Sequence, residues 1–155
     1  MNVTPKQCFW SAILIVSSLL LGMVMTGLVQ AVGHWLFPPP AGVDVTDMES
    51  IRAHLDKFAP GHFVLELAAF GLGAFAGTAL ASHMAPCCPR IHCAIVGGIL
   101  MLLGLFNLFA MPHAAWMAVA AVLLYPISAI LGHLAGTRPL PGLHEGWTKE
   151  IHGRF

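Results

Sequence analysis

Residues 62–82 read HFVLELAAFGLGAFAGTALAS. A helix needs about 20 predominantly apolar residues to cross the ~30 Å hydrocarbon core of a bilayer, and this stretch has that length. Glu66 is its only charged side chain. The stretch therefore predicts a membrane-spanning helix that carries a single intramembrane carboxyl group.

Three further apolar segments have the length of a membrane span: residues 9–37, 91–111 and 113–135. Of the 155 residues, 57% are hydrophobic and only 9% are charged, and the mean hydropathy is +0.80. A soluble domain carries about 25% charged residues. We expect one all-α transmembrane domain over residues 1–155, folded as a four-helix bundle in the lipid bilayer, with a tail over residues 137–155.

Basic residues in short loops predict the orientation of the bundle. One side would hold Lys6, Arg90, Arg138, Lys149 and Arg154. The other side has two basic residues among four acidic ones, within residues 44–57. Both termini are therefore predicted in the cytoplasm. Net charge is formally zero, and without a basic run nucleic-acid binding is not expected.

The outer loop between the first two spans has its own pattern. Three prolines at residues 38–40 end the first helix. Residues 46–49 match a capping box with Thr46 as the capping residue, which predicts a short amphipathic helix. Its apolar face would consist of Met48, Ile51, Leu55 and Phe58. This helix could lie in the headgroup region or cover the end of the bundle.

Small residues recur at helical spacing along all four spans, with Gly132 and Gly136 on the fourth. They predict close approach of neighbouring helix backbones. The positions on the first three are Gly22, Ala69, Gly73, Gly77, Gly97 and Gly104. The pattern is compatible with packing inside one chain and with a homo-oligomer interface.

Polar side chains from all four spans are predicted to converge in one layer near the outer surface. Counting ~1.5 Å per residue, they lie within roughly 10 Å of the hydrocarbon edge. The members are Gln30, His34, His62, Glu66, Asn107 and His113. A carboxylate at this depth should face the bundle or a watery cavity. The layer could be structural hydrogen bonding between helices or a functional site.

If the layer is functional, two chemistries suit it. His34, His62, Glu66 and His113 offer the nitrogen and oxygen ligands that zinc, iron or copper accept. Alternatively, Glu66 and His34 could pass protons. Histidines flank the second and third spans at both ends, an arrangement shared with di-haem membrane cytochromes, so haem is a further hypothesis.

A second group of metal-binding residue types lies near the inner surface. It consists of His83, Cys87, Cys88, His92 and Cys93. Such soft ligands could bind zinc or copper(I). Their spacing matches no standard zinc pattern, and reduced, incidental thiols are the alternative on the cytoplasmic side.

Some local features resemble a loose group of uncharacterised small bacterial four-helix membrane proteins. One is the acidic outer loop followed by residues 62–81 with their glycines. Another runs from residues 95–98 through Gly104 and Asn107 to the turn at residues 111–113. The resemblance covers most of residues 40–135 and implies no assigned activity. The Cys87–Cys88 pair departs from it.

Three functions remain open on the sequence alone. We predict a small four-helix protein of the bacterial inner membrane that acts as an accessory or interaction subunit, with other membrane subunits or copies of itself as partners. The second hypothesis is a metal- or haem-binding, redox-active protein using the outer layer. The third is a small oligomeric transporter or proton-coupled carrier. No specific catalytic motif occurs, so an enzyme is not favoured, and the sequence identifies no cofactor.

Overall fold

The computed structural model describes residues 5–110, 113 and 115–138. In chain order, its helices are α1 (Pro5–Leu36), α2 (Met48–Ala53), α3 (Pro60–His83), α4 (Pro89–Ala110) and α5 (Ala115–Gly136), with a 3₁₀ turn (Leu55–Lys57) after α2. The four long helices are each long and apolar enough to cross a membrane. The predicted all-α, multi-pass four-helix bundle is thereby confirmed.

The outer end of the bundle carries α2 and the first turn of α3, and the inner end carries Pro5, His83 and Gly136. These names follow the predicted orientation. The predicted turn at residues 111–113, apart from His113, and the predicted tail beyond residue 138 lie outside the described residues.

Proline marks the start of three long helices. Pro5, Pro60 and Pro89 each open a helix, because proline lacks the backbone N–H that a first helical turn leaves unpaired. The helix α1 begins at Pro5 rather than at residue 9, since it continues through Lys6 and Gln7 beyond the apolar stretch. Hydropathy predicts which residues lie in the hydrocarbon core of the bilayer, whereas backbone hydrogen bonds determine where the helix begins.

The short helix α2 begins differently from the prediction. The prediction that Thr46 caps it is wrong, because Asp47 is the capping residue and its carboxylate accepts a hydrogen bond from the Glu49 N–H at 3.0 Å. Thr46 instead donates its N–H and its hydroxyl to Asp44 Oδ1, at 2.8 and 2.7 Å. The Thr46 side chain is thus engaged with Asp44, and the Asp47 carboxylate supplies the acceptor that caps the helix. The regular helix ends at Ala53.

The central helix of the bundle is α3, which packs most extensively against α1 and α5 and also contacts α4. A Cβ atom at Gly73 would lie 2.6 Å from the Gly22 carbonyl oxygen, and one at Gly77 would lie 2.9 Å from the Ser18 carbonyl oxygen. The Thr26 hydroxyl of α1 donates to the Ala69 carbonyl of α3 at 3.3 Å. These distances show that α1 and α3 touch backbone to backbone.

The other small residues lie at contacts of α4. Gly97 sits between Ala129 of α5 and Thr78 of α3, and Gly104 faces the ring of Tyr125. The core behind them is apolar and consists of Phe70, Ala74, Ala81, Val96, Leu100, Leu108, Met117, Ala121 and Tyr125. The structure thus places the predicted packing positions, with the fully buried Ala69, at contacts within one chain.

Candidate functional site

The six polar residues of the outer layer line a single cavity. Its volume is about 320 Å³, and it lies at the outer end between α1, α3, α4 and the segment before α5. The polar lining consists of Gln30, His34, His62, Glu66, Asn107 and His113. Glu66 lies six residues after the start of α3 at Pro60, which is about 9 Å along the helix axis. We call this cavity the outer pocket.

Glu66 and His113 form the main polar contact in the outer pocket. Glu66 Oε1 and His113 Nε2 are 2.9 Å apart. The side chains are 13% and 9% exposed respectively, so the contact is largely shielded from water. It ties α3 to the connection between α4 and α5. As an ion pair or as a neutral hydrogen bond, it satisfies a carboxyl group that would be costly to leave alone at this depth.

His34 and His62 form a second pair. Their rings meet edge to face, with centroids 5.2 Å apart and an interplanar angle of 88°. His34 Nδ1 donates to the Gln30 backbone carbonyl at 2.9 Å, which leaves Nε2 as the acceptor of the neutral ring. The His62 ring also packs against Phe58 and Phe63. Aromatic packing therefore fixes the position of His62.

Two buried polar atoms of the outer pocket lack a partner among the described residues. They are His62 Nδ1 and Asn107 Oδ1. A buried polar atom without a hydrogen bond costs roughly 1–3 kcal/mol. Both residues line the cavity, so a molecule bound there could supply the missing contacts.

The outer loop, together with Phe63 of α3, forms the apolar wall of the outer pocket. The wall residues are Pro39, Val45, Ile51, Leu55, Phe58 and Phe63. Ile51, Leu55 and Phe58 belong to the predicted apolar face of α2 and its extension, whereas the charged residues of this segment are exposed. The apolar face of the loop thus covers the outer end of the bundle, and charge faces away from it. Sequence reasoning identified this face and left open whether it lies in the headgroup region or covers the end of the bundle.

The proposed metal ligands do not converge on one point. Among the described residues, no three His, Cys, Asp or Glu side chains are placed so that they could hold a metal ion. In the outer pocket the four candidates form two pairs, Glu66 with His113 and His34 with His62. The metal and haem hypotheses gain no support from this geometry and stay predictions.

The inner group of histidines and cysteines is dispersed among separate partners. His83 Nδ1 lies 3.1 Å from the Gly136 carbonyl, and the Cys93 thiol donates to the Ala129 carbonyl at 3.5 Å. His92 Nδ1 lies 3.4 Å from the Cys88 carbonyl. All four cysteines are free thiols. Desolvation, followed by the adjacent Cys88 thiol, raises the pKa of Cys87, which makes that thiol a poorer nucleophile at neutral pH.

One inner contact was missed by sequence reasoning. The Ser82 side chain and His133 Nδ1 are 2.9 Å apart and join α3 to α5. A serine and a histidine at the same depth on two spans are a possible signal for such a contact. The signal is weak, because the sequence does not show which helices are neighbours.

Comparison with known proteins gives no relative. The chain matches no family model, no curated protein and no solved structure. The resemblance to small bacterial membrane proteins is therefore still a prediction. Function must be inferred from the geometry of the outer pocket.

Proposed function

We propose that this protein is an accessory subunit of the bacterial inner membrane that binds a small polar molecule in the outer pocket. The observation that carries the proposal is the cavity of about 320 Å³ with the buried, unpartnered Asn107 Oδ1 in its lining. Small-molecule sites are concave, mostly apolar, and fixed by a few polar groups, and they begin at about 300 Å³. The outer pocket has this composition and size.

The lining favours one class of ligand. Glu66 offers a carboxyl group, Asn107 a carbonyl oxygen and His34 an acceptor nitrogen. These acceptors suit a molecule that presents N–H or O–H donors. The wall from Val45 to Phe63 suits an apolar portion of the same molecule. We therefore expect a small amphipathic ligand with an amine, amide or hydroxyl group.

Binding is favoured over catalysis by the types of residue in the pocket. Its described lining contains no hydroxyl, thiol or amine side chain, so the Glu66 carboxyl group and the histidines are the candidate nucleophiles there. The Glu66 carboxyl group is engaged by His113 Nε2 at 2.9 Å. A subunit of this kind supplies recognition to a complex whose chemistry resides elsewhere, which is why we propose an accessory role.

Binding is also favoured over passage through the bundle. Directly beneath the outer pocket, Phe70 of α3 stacks on Tyr125 of α5 with ring centroids 6.0 Å apart. Both side chains and the neighbouring Ala74 are buried. This layer of closely packed side chains separates the pocket from the inner half of the bundle. The carrier hypothesis stays a prediction without a specific observation in its favour.

Ligand extraction tests the binding proposal. Protein purified from membranes would be denatured and its small-molecule content identified by mass spectrometry, for the unchanged chain, Asn107→Leu and Phe106→Leu. Asn107→Leu removes the unpartnered oxygen, whereas Phe106 is 73% exposed on the same helix and serves as the matched control. We expect one polar molecule in near-stoichiometric amount, lost only in Asn107→Leu. Equal content in all three proteins, or lipid alone, would contradict binding in the outer pocket.

The accessory role has a separate test. Membranes extracted with a mild polymer would be resolved on a native gel and probed for this 16.5 kDa chain. We expect a complex of fixed size with a second polypeptide of defined stoichiometry. Migration as this chain alone would reject the accessory role and leave ligand binding standing by itself.

A further inference from the structure

A second cavity lies on the lipid-facing side of α4 and α5 toward the inner end. It is a groove of about 350 Å³. Its α4 side runs from Arg90 along Ala94 and Gly98 to Met101, and its α5 side includes Pro126 and Ile130. Arg90, Ala94, Gly98, Pro126 and Ile130 are all exposed. The groove is separate from the outer pocket and shares no residue with it.

We propose that this groove binds one anionic phospholipid, with an acyl chain between α4 and α5 and the phosphate at Arg90. The depth of the groove is the first argument. From Arg90 to Met101 the helix rises roughly 16 Å at 1.5 Å per residue, about half of the ~30 Å hydrocarbon thickness. A groove one leaflet deep matches a lipid tail. A partner transmembrane helix would run along the full thickness.

Glycine, which has no side chain, creates the space of the groove between α4 and α5. A Cβ atom at Gly98 would meet nothing within 4 Å, so the helix surface is open at this point. Gly97, by contrast, is buried, and a Cβ there would lie 3.1 Å from the Ala129 Cβ. One glycine therefore brings α4 close to α5, and the next leaves a gap beside that contact. Apolar lipid tails fill such gaps at no cost in hydrogen bonds.

The positive charge of Arg90 at the inner end also favours an anionic lipid. Arg90 is exposed, and the described residues contain one salt bridge, which joins Glu66 and His113 at the outer end. Every Asp and Glu of residues 5–138 lies in the outer loop or at Glu66. Arg90 therefore has no carboxylate partner in this part of the chain. A cation at the head of an apolar groove between helices suits an anionic lipid headgroup.

His133 adds a second polar group beside Arg90. It lines the groove, and its Nδ1 is engaged by the Ser82 side chain at 2.9 Å. This contact fixes the ring on the α5 side of the groove. The second ring nitrogen can then contact a headgroup oxygen.

Native mass spectrometry with defined lipids tests the proposal. The purified full chain would be titrated with phosphatidylglycerol and, separately, with phosphatidylcholine of the same acyl length. We expect one phosphatidylglycerol to bind with clear preference over phosphatidylcholine. Arg90→Gln should weaken phosphatidylglycerol binding roughly fivefold, the effect of one cation near an anionic lipid surface. Gly98→Leu should weaken binding of both lipids, because its side chain occupies the groove.

Two matched variants control for general effects. Lys6→Gln removes another exposed cation at the inner end, on α1. Gly27→Leu adds the same side chain at a glycine of α1 where an added Cβ atom would also meet nothing within 4 Å. Both should bind phosphatidylglycerol like the unchanged chain.

Three outcomes would overturn the proposal. The first is phosphatidylglycerol binding that is unchanged in both Arg90→Gln and Gly98→Leu. The second is equal binding of the two lipids by the unchanged chain, which would reject the headgroup contact. The third is a lipid-free dimer that Gly98→Leu dissociates, which would assign the groove to a second copy of the chain. Because Arg90 is at the surface, Arg90→Gln keeps the test valid if Gly98→Leu fails to fold.

Discussion

Glu66 reaches the interior of the bundle as part of a pair, and the pair gives the outer pocket its polarity. Its carboxyl oxygen lies 2.9 Å from His113 Nε2, and both side chains are at least 87% shielded from solvent. Loss of either partner removes this contact from a group that is largely shielded from water. The pair should therefore contribute to stability as well as to ligand contact.

A double-mutant cycle measures this contribution. Glu66→Gln, His113→Gln and the double variant would be unfolded with denaturing detergent, and their free energies of unfolding compared. We expect a coupling free energy of about 0.5–1.5 kcal/mol, the range found for polar contacts between membrane helices. A parallel cycle of Glu49→Gln with His113→Gln should give coupling near zero, because Glu49 is exposed on α2. Zero coupling for Glu66 with His113 would show that the pair is not formed in the membrane.

Sequence reasoning assigned the six polar residues to one layer but could not pair them. Depth follows from counting ~1.5 Å per residue along each span. The rotation of each helix about its axis depends on packing, which one sequence does not specify. The contact of His34 with His62, rather than with Glu66, arises from this rotation.

At the scale of elements, the contact of α1 with α3 depends on glycine. A Cβ atom at Gly73 would overlap Thr26 Oγ1 and lie 2.6 Å from the Gly22 carbonyl oxygen. A Cβ at Gly27, one residue beyond Thr26 on α1, would meet nothing. Gly73 and Gly27 lie at a similar depth, but Gly73 is packed against α1 and Gly27 faces open space.

Alanine at each glycine should therefore have opposite effects. Gly73→Ala should lower the free energy of unfolding by about 1–3 kcal/mol, because the helices must move apart. Gly27→Ala should leave it unchanged or raise it slightly, since alanine favours the helix. Detergent denaturation followed by circular dichroism would measure both. A Gly73→Ala variant as stable as Gly27→Ala would contradict the observed packing of α1 on α3.

The turn before α2 should respond to acid. Hydrogen bonds from the Thr46 hydroxyl and then the Thr46 N–H lower the pKa of Asp44 below its ordinary value of 3.8. The ionised carboxylate thus stabilises the turn fully above pH 3.8, and this stabilisation is lost as the pH falls through the lower, folded-state pKa. Thr46→Val should move the pKa of Asp44 back toward 3.8.

An NMR titration of the Asp44 carboxyl carbon would follow this change. Thr137→Val, which removes an exposed hydroxyl at the inner end, serves as the control and should leave the titration unchanged. The same titration curve in the unchanged chain and Thr46→Val would rule out the hydrogen bond from the Thr46 hydroxyl to Asp44. The sequence predicted a helix here but not its cap, because Thr46 and Asp47 are both good capping residues and only their competing turn contacts decide.

At the scale of the whole molecule, hydropathy was sufficient to predict four spans and their order. The apolar segments are long and separated by polar or proline-containing loops, and the described residues contain four helices long and apolar enough to cross a membrane. The sequence left open whether the outer loop lies in the headgroup region or covers the end of the bundle, and the structure shows the second arrangement. That arrangement needs Ile51, Leu55 and Phe58 to lie above the polar residues of α1 and α3, which is a tertiary contact.

The two cavities lie at different depths of the bundle and differ in chemistry. The outer pocket combines a carboxyl group, three histidines and an apolar roof, and the inner groove combines an exposed arginine with an open apolar surface. Stacked Phe70 and Tyr125 lie at an intermediate level. On this account, polar ligands reach the protein from outside, and lipid anchors it at the inner leaflet.

The most direct test of the central claim is thiol labelling of the outer pocket from the outer side of intact cells. Gln30→Cys, which lines the pocket, would be compared with Leu28→Cys, which is 57% exposed on the same helix and faces lipid. Cys8, Cys87 and Cys88 would be changed to Ser in both, and the buried Cys93 retained. A membrane-impermeant reagent needs a thiolate, which forms where water reaches. The account predicts rapid labelling of Gln30→Cys and little of Leu28→Cys, whereas equal labelling, or labelling of Gln30→Cys only from the cytoplasmic side, would contradict it.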